Sequence, residues 1–396
     1  MNKKIMAVLA AVALTVGVSS AAFAMELFGT QVAGECAFTL QRMPDVMKAS
    51  TMEYNRSTLQ MTPDDIKNYI DLIKATFAFS LKLTKEFENN GKLVVRFKGG
   101  EGNGLNDNLE TYSKINESAD PGAFIKNTEL FYQQSFLDNK FIVNFGKFGV
   151  GAYFADNNYT SQFLTGAFST DKTISISPSL LALRLNYAAI TDISIDYAYF
   201  TYFLTKASPG PGKGLSILQV TYKPHEGGNY RVYVWTNNTY HRSYQSREMN
   251  RKYYGTCGIG ISADYAINER VGVFAKIGHK NPYVGTINDR EHAESPSFNL
   301  PPPSTLWNVG IQVKDLTNNA LGFAIGQISG DCVLKSNNID NFKYGKETQI
   351  ELYYKYKINN NISIIANLQY LANLKGGNTS YNHDTVVIGI RTLIAF

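Results

Sequence analysis

The chain of 396 residues carries 38 basic and 33 acidic residues, a net +5, with 13 % aromatic and only 18 % charged residues. So small a basic excess argues against a nucleic-acid partner, and the charge content falls below the roughly 25 % of ordinary soluble domains. The spacing of Cys36, Cys257 and Cys332 matches no metal site and no disulfide framework, and three cysteines leave room for one disulfide at most.

At the amino terminus, Lys3 and Lys4 precede an uncharged apolar run from Ile5 to Val18, and Ala22-Phe23-Ala24 follows as a small-x-small cleavage pattern. This order predicts a secretory signal peptide over residues 1–24 with Met25 as the first mature residue. The competing reading, a membrane anchor, needs about 20 apolar residues, more than this run supplies. Cys36, well past the apolar run, is not placed as a lipoprotein cysteine. No later segment is long and apolar enough for a transmembrane helix, so a membrane surface would have to be built by alternation.

Residues 25–74 are expected to hold a first strand and a helix-containing loop. Gln31 to Arg42 supplies the strand. Thr62 as cap, Pro63, Asp64 and Asp65 in the first turn, and Ile66, Tyr69, Ile70 and Ile73 at helical spacing predict a short helix in the first external loop. That helix either stabilises the loop or plugs the mouth of the barrel described next.

Residues 75–396 read as strands throughout. Tight polar turns at Asn89-Asn90-Gly91, Asp138-Asn139, Ala189-Ile190-Thr191, Gly227-Gly228-Asn229, Asn268-Glu269, Asn318-Asn319 and Asn359-Asn360-Asn361 suit hairpins. They alternate with long connections near 100–125, 149–178, 204–213, 240–256, 280–303, 330–346 and 372–384. Short turns on one side and long loops on the other are the asymmetry of an outer-membrane barrel. The final segment places Val386, Ile388, Ile390, Thr392, Ile394 and Phe396 on one face and Arg391 on the other. About fifteen strands run from Ala75 to Phe396. Both ends in the periplasm require an even number, so the expected fold is all-β, a single transmembrane antiparallel β-barrel of about sixteen strands.

No catalytic or metal constellation stands out. His225, His241, His279, His292 and His383 fall in turns or at loop ends; Asp384 beside His383 is the nearest approach to a pair. Gly99 to Gly104 is not a phosphate loop, because no helix follows it. With the apolar face of each strand turned to lipid, the lumen receives Arg96, Lys98, Arg184, Arg231, Lys276, Lys355 and Arg391, with Glu129, Asp196, Asp264 and Glu351. It also receives Trp235, Gln133, Gln219, Gln312, Gln327, Asn367 and Gln369. Mixed charges, amides and an aromatic suit a neutral polyhydroxyl solute: Arg and carboxylate groups bond paired hydroxyls, and an aromatic face packs a sugar ring. The plain alternative is a solvated, mutually paired wall with no ligand role.

With these residues in view, the sequence resembles the carbohydrate-selective porins of the OprB type. The resemblance rests on Gly258-x-Gly260-x-Ser262-x-Asp264 with Phe274-Ala275-Lys276-x-Gly278, on Glu351-Leu352-Tyr353-Tyr354, and on Asn367-Leu368-Gln369-Tyr370. It extends to Gly376-Gly377-Asn378 and to Gly389-x-Arg391 through Phe396. Glu129 with Tyr132, Gly146-Lys147, Tyr153-Phe154 and Gln162-Phe163-Leu164 resemble the segment around the family's longest loop. Tyr265 and Lys276 stand where the family usually has Gln and Arg, and Leu374-Lys375 replaces its Asn-Pro. The resemblance implies passive passage of small sugars through a water-filled channel in the bacterial outer membrane, with no cofactor. It implies lumen roles for Glu129, Asp264, Glu351, Gln369 and Arg391, and is compatible with a homotrimer. Outer-membrane lipid and the barrel-assembly machinery, which would read the terminal Phe396, are the other expected partners. The rivals are a general diffusion porin, a structural or adhesive barrel closed by its loops, and, last, an outer-membrane enzyme.

Overall fold

In a computed structural model, the described residues are 25–47 (without 28), 69–174 (without 110, 120–124 and 170), 180–201, 213–242 (without 225–226), 253–281, 303–330, 345–376 and 384–396. The signal peptide, the first part of the expected helix and much of the longest connections lie outside them. A three-residue strand, β1 (Met25–Leu27), turns at Gly29 and pairs with the start of β2 (Thr30–Met47).

The remaining strands are β3 (Tyr69–Glu86), β4 (Gly91–Glu101), β5 (Lys126–Phe136), β6 (Phe141–Phe148), β7 (Leu180–Ile190), β8 (Ile193–Thr201), β9 (Gly214–Tyr222) and β10 (Gly228–Arg242). The second half continues with β11 (Tyr253–Ala266), β12 (Val271–Lys280), β13 (Pro303–Lys314), β14 (Ala320–Gly330), β15 (Lys346–Lys357), β16 (Ile362–Ala372) and β17 (Thr385–Ala395). Each pairs antiparallel with its chain neighbour, and β17 pairs with β2 from Ala395–Glu35 to Ile388–Arg42, so β2 to β17 form a closed sixteen-stranded barrel. Closure satisfies both edges of every strand, which a hydrocarbon surrounding demands.

Alternation decides the facing. Along β15, Leu352, Tyr354 and Tyr356 are exposed outward, whereas Glu347, Gln349 and Glu351 are buried inside. The tight ends use the residues that tolerate positive φ: Asn90 at 60°, Asp138 at 53°, Asn139 at 66°, Asp192 at 63° and Asn318 at 62°.

Two details differ from the sequence reading. Tyr69 to Ile73 do not continue a helix; they open β3, with Tyr69 opposite Met47 and Ile73 opposite Arg42. β2 runs past Arg42 through an irregularity between Met43 and Val46, where Pro44 has no amide to donate. Cross-strand pairing there outweighs the helical spacing of Ile66, Tyr69, Ile70 and Ile73. Gln327 faces outward, not into the lumen: it lies on the face of Leu321 and Phe323, accepts from the Trp307 indole at 3.2 Å and donates to Thr348 at 3.0 Å.

Candidate functional site

Two connections fold back inside the barrel. Residues 102–119 follow β4, and residues 149–174 follow β6, the latter containing a single helical turn, Gly166–Ser169. They bond to one another, Glu117 N to Leu164 O at 2.8 Å and Gly166 N to Lys114 O at 2.9 Å, with Lys172 on Glu117 at 3.1 Å.

Inward side chains of the wall hold them in place. The Glu351 carboxylate accepts the Leu164 amide at 2.7 Å, the Thr165 amide at 3.0 Å and the Asn367 side-chain amide. Arg391 donates to the Gln162 carbonyl at 2.7 Å, and Gln369 to the Ile115 carbonyl at 3.0 Å. Glu347 accepts the amides of Tyr112 at 2.8 Å and Lys375 at 2.9 Å. Asn308 donates to Ala167 O, and Lys276 to Ser169 O. Loop backbone that would be orphaned in a dry interior is thus paired by side chains from distant strands.

Apolar packing adds to these polar ties. Phe148, Phe154, Phe200, Tyr233 and Trp235 form one cluster; Phe163, Phe168, Phe274, Tyr353 and Ile365 form a second; Leu105, Leu109, Ile115, Leu371 and Val387 form a third. The Gly258-x-Gly260 pair finds its physical reason here. A Cβ on Gly260 would lie 2.2 Å from the Tyr233 ring, and one on Gly258 2.6 Å from Trp235, so both rings lie flat against β11. The Tyr233 hydroxyl then reaches Asp171 of the inner loop at 2.5 Å.

Three arginine–carboxylate pairs stand in the wall. Arg231 bonds Asp264 at 2.6 Å, and Asp264 also accepts from Asn229 at 2.7 Å and Asn158 at 2.8 Å. Arg184 bonds Asp196, donates to the Asn144 side-chain oxygen at 3.0 Å, and lies 4.2 Å above the Tyr153 ring. Burial pushes the Tyr153 phenol up to about 12, so the ring stays neutral beneath the guanidinium. Arg96 meets Glu129 at 3.3 Å and remains partly exposed.

Among the residues expected to line the lumen, Glu351, Gln369, Arg391 and Lys276 therefore reach loop backbone, while Arg231–Asp264, Arg184–Asp196 and Arg96–Glu129 meet as pairs. Trp235 is enclosed in the first cluster, and Lys355 stands half-buried near the periplasmic end of β15. Sequence reasoning missed Glu347, although Glu347-x-Gln349-x-Glu351 alternates onto one face. It also missed Asp171, whose loop has no periodicity to read, and Lys82 and Glu35, which face the lumen opposite Ala33 and Ser80 respectively.

A closed barrel narrowed from within by its own loops is the architecture of a porin. The profile of the carbohydrate-selective porin, OprB family matches residues 68–396, and the chain belongs to that family. Its fold is similar to that of Pseudomonas putida OprB at high pH, with a TM-score of 0.73 and 14 % identity over 93 % of this chain and 94 % of that one. The Salmonella typhi OmpF complex with daunomycin gives 0.59 at 10 % identity, covering 94 % and 100 %. The channel DcaP of Acinetobacter baumannii gives 0.56 at 12 %, covering 93 % and 98 %. No curated protein matches the chain. Family and fold are those of channels, and together they imply the bacterial outer membrane.

Proposed function

We propose that the protein lets small carbohydrates diffuse passively down their gradient through the lumen left beside its inner loops. The observation that carries this reading is the seating of the two inner loops on the inward face of the wall, which occupies part of the lumen and sets polar side chains beside the remaining passage. Arg96, paired with the buried Glu129 at 3.3 Å and itself partly exposed, offers planar donors for vicinal hydroxyls. Glu351, Gln369, Arg391, Asp264 and Lys276 act mainly as the frame that fixes the loops, with Trp235, Arg184, Asp196 and Arg231 supporting it; Lys355 faces the periplasmic side of the passage. Export would use the 1–24 signal peptide. The terminal Phe396 would be read by the assembly machinery, and the outward aromatic surface would meet lipid or further copies in a trimer.

The inner packing also favours a second reading, a barrel closed by its loops. Liposome swelling with a panel of mono- and disaccharides separates them. Passage of monosaccharides with faster entry for some than for size-matched polyols supports the sugar channel. Entry ordered by size alone points to general diffusion, and no entry to closure.

A further inference from the structure

The two inner loops touch, and the Glu117–Lys172 ion pair bridges them. Backbone bonds already join residues 114–117 of the first loop to residues 164–166 of the second, Glu117 N to Leu164 O and Gly166 N to Lys114 O. Beyond the helical turn the second loop runs back toward β7, and there Lys172 reaches across to Glu117 at 3.1 Å. Asp171 beside it is engaged elsewhere, by the Tyr233 hydroxyl and by Thr173. The pair lies directly on Gly166. A Cβ there would stand 2.0 Å from a Glu117 carboxylate oxygen and 2.7 Å from the Lys172 ammonium, so the bare Cα is what lets the two charges meet. The Glu117 side chain is 37 % exposed and that of Lys172 18 %, so water of the lumen reaches both. An ion pair so exposed adds little to folding stability, and the wall anchors and backbone bonds seat the loops without it.

We propose that Glu117 and Lys172 are positioning residues whose pair holds the returning limb of the second loop against the first and so sets the size limit of the passage for sugars. The inference rests on the sugar-channel reading. With the pair made, residues 114–117 and 164–172 move as one body, and the lumen beside them keeps one width. With the pair broken, the limb is still held through Asp171 on Tyr233 but swings free of the first loop, and larger solutes pass. The tie is electrostatic and open to water, so salt weakens it.

The test uses the full-length protein in liposomes and in planar bilayers, and reads the entry of sucrose relative to glucose. Glu117→Gln and Lys172→Met, which break the pair, are each expected to raise that ratio roughly two- to fivefold and to add flicker to the single-channel current. Gly166→Ala should do the same with every charge in place, because the added methyl group displaces the flexible ends of both side chains. Lys172→Arg keeps the pair and should keep the wild-type ratio. Salt at about 1 M, where the Debye length is about 3 Å, should move the wild type toward the Glu117→Gln value and leave that variant unchanged. Retention of the heat-dependent gel shift reports that each variant is folded; if none folds, the salt response of the wild type decides. A wild-type ratio in both Glu117→Gln and Gly166→Ala, or a wild-type ratio indifferent to salt, overturns the inference and leaves the sugar channel standing. Entry of neither sugar through the wild type overturns both readings.

Discussion

Glu351 shows what a single inward side chain does here. It presents two carboxylate oxygens to two successive loop amides, those of Leu164 and Thr165. An amide in its place accepts at only one oxygen and turns its NH2 toward a donor, which strands a buried group at a cost of roughly 1–3 kcal/mol. Glu351→Gln is therefore expected to loosen residues 149–174, read as noisier and larger single-channel conductance and as faster proteolysis within that segment. Wild-type noise and cleavage in the variant would count against the anchoring role. The inward facing of Glu351, Gln369 and Arg391 was legible from alternation, because period two depends only on the strand. Their partners were not legible, because Leu164, Gln162 and Ile115 lie in segments without periodicity and far away in the chain.

Among the elements, the hairpin turns were the most legible, since their chemistry is local. In the turn between β13 and β14, Asp315 accepts from the amides of Thr317 at 2.8 Å and Asn319 at 2.9 Å, and from both side chains at 2.8 Å. The Thr317 and Asn319 side chains thereby hold its carboxyl below the usual carboxylate value. A lowered folded value means that the support is complete above the ordinary value and is lost as the pH falls through the lowered one. The amides of Thr317 and Asn319 should stay protected from exchange at neutral pH and lose protection in that acidic window. Protection that does not change with pH would remove the carboxylate from the account. The start of β3 was misread for the opposite reason: Tyr69 and Ile70 answer to the far end of β2 and not to their chain neighbours.

For the whole molecule, strand number followed from loop asymmetry and parity, and the seam between β17 and β2 is where that count is realised. Gly34 and Phe396 exchange backbone hydrogen bonds at 2.7 and 2.9 Å, and the Phe396 ring covers Gly34 so closely that an added Cβ would lie 2.2 Å from it. Gly34→Val should displace the ring and lower the temperature at which the barrel loses its compact migration in detergent gels, by roughly a few degrees. An unaltered transition would show that the ring contributes nothing to closure.

The seating of the inner loops also orders events in time. Leu164 and Thr165 find their acceptor on a residue 187 and 186 positions further along the chain. These two amides lack their wall acceptor until β15 has joined the barrel, although the loop's other ties, to Lys114, Glu117 and Asp264, come from earlier strands and loops. The Glu351 anchor, with that of Arg391 on β17, is thus among the last ties of this loop to be completed as the chain is laid down, late staves fastening what earlier ones already hold.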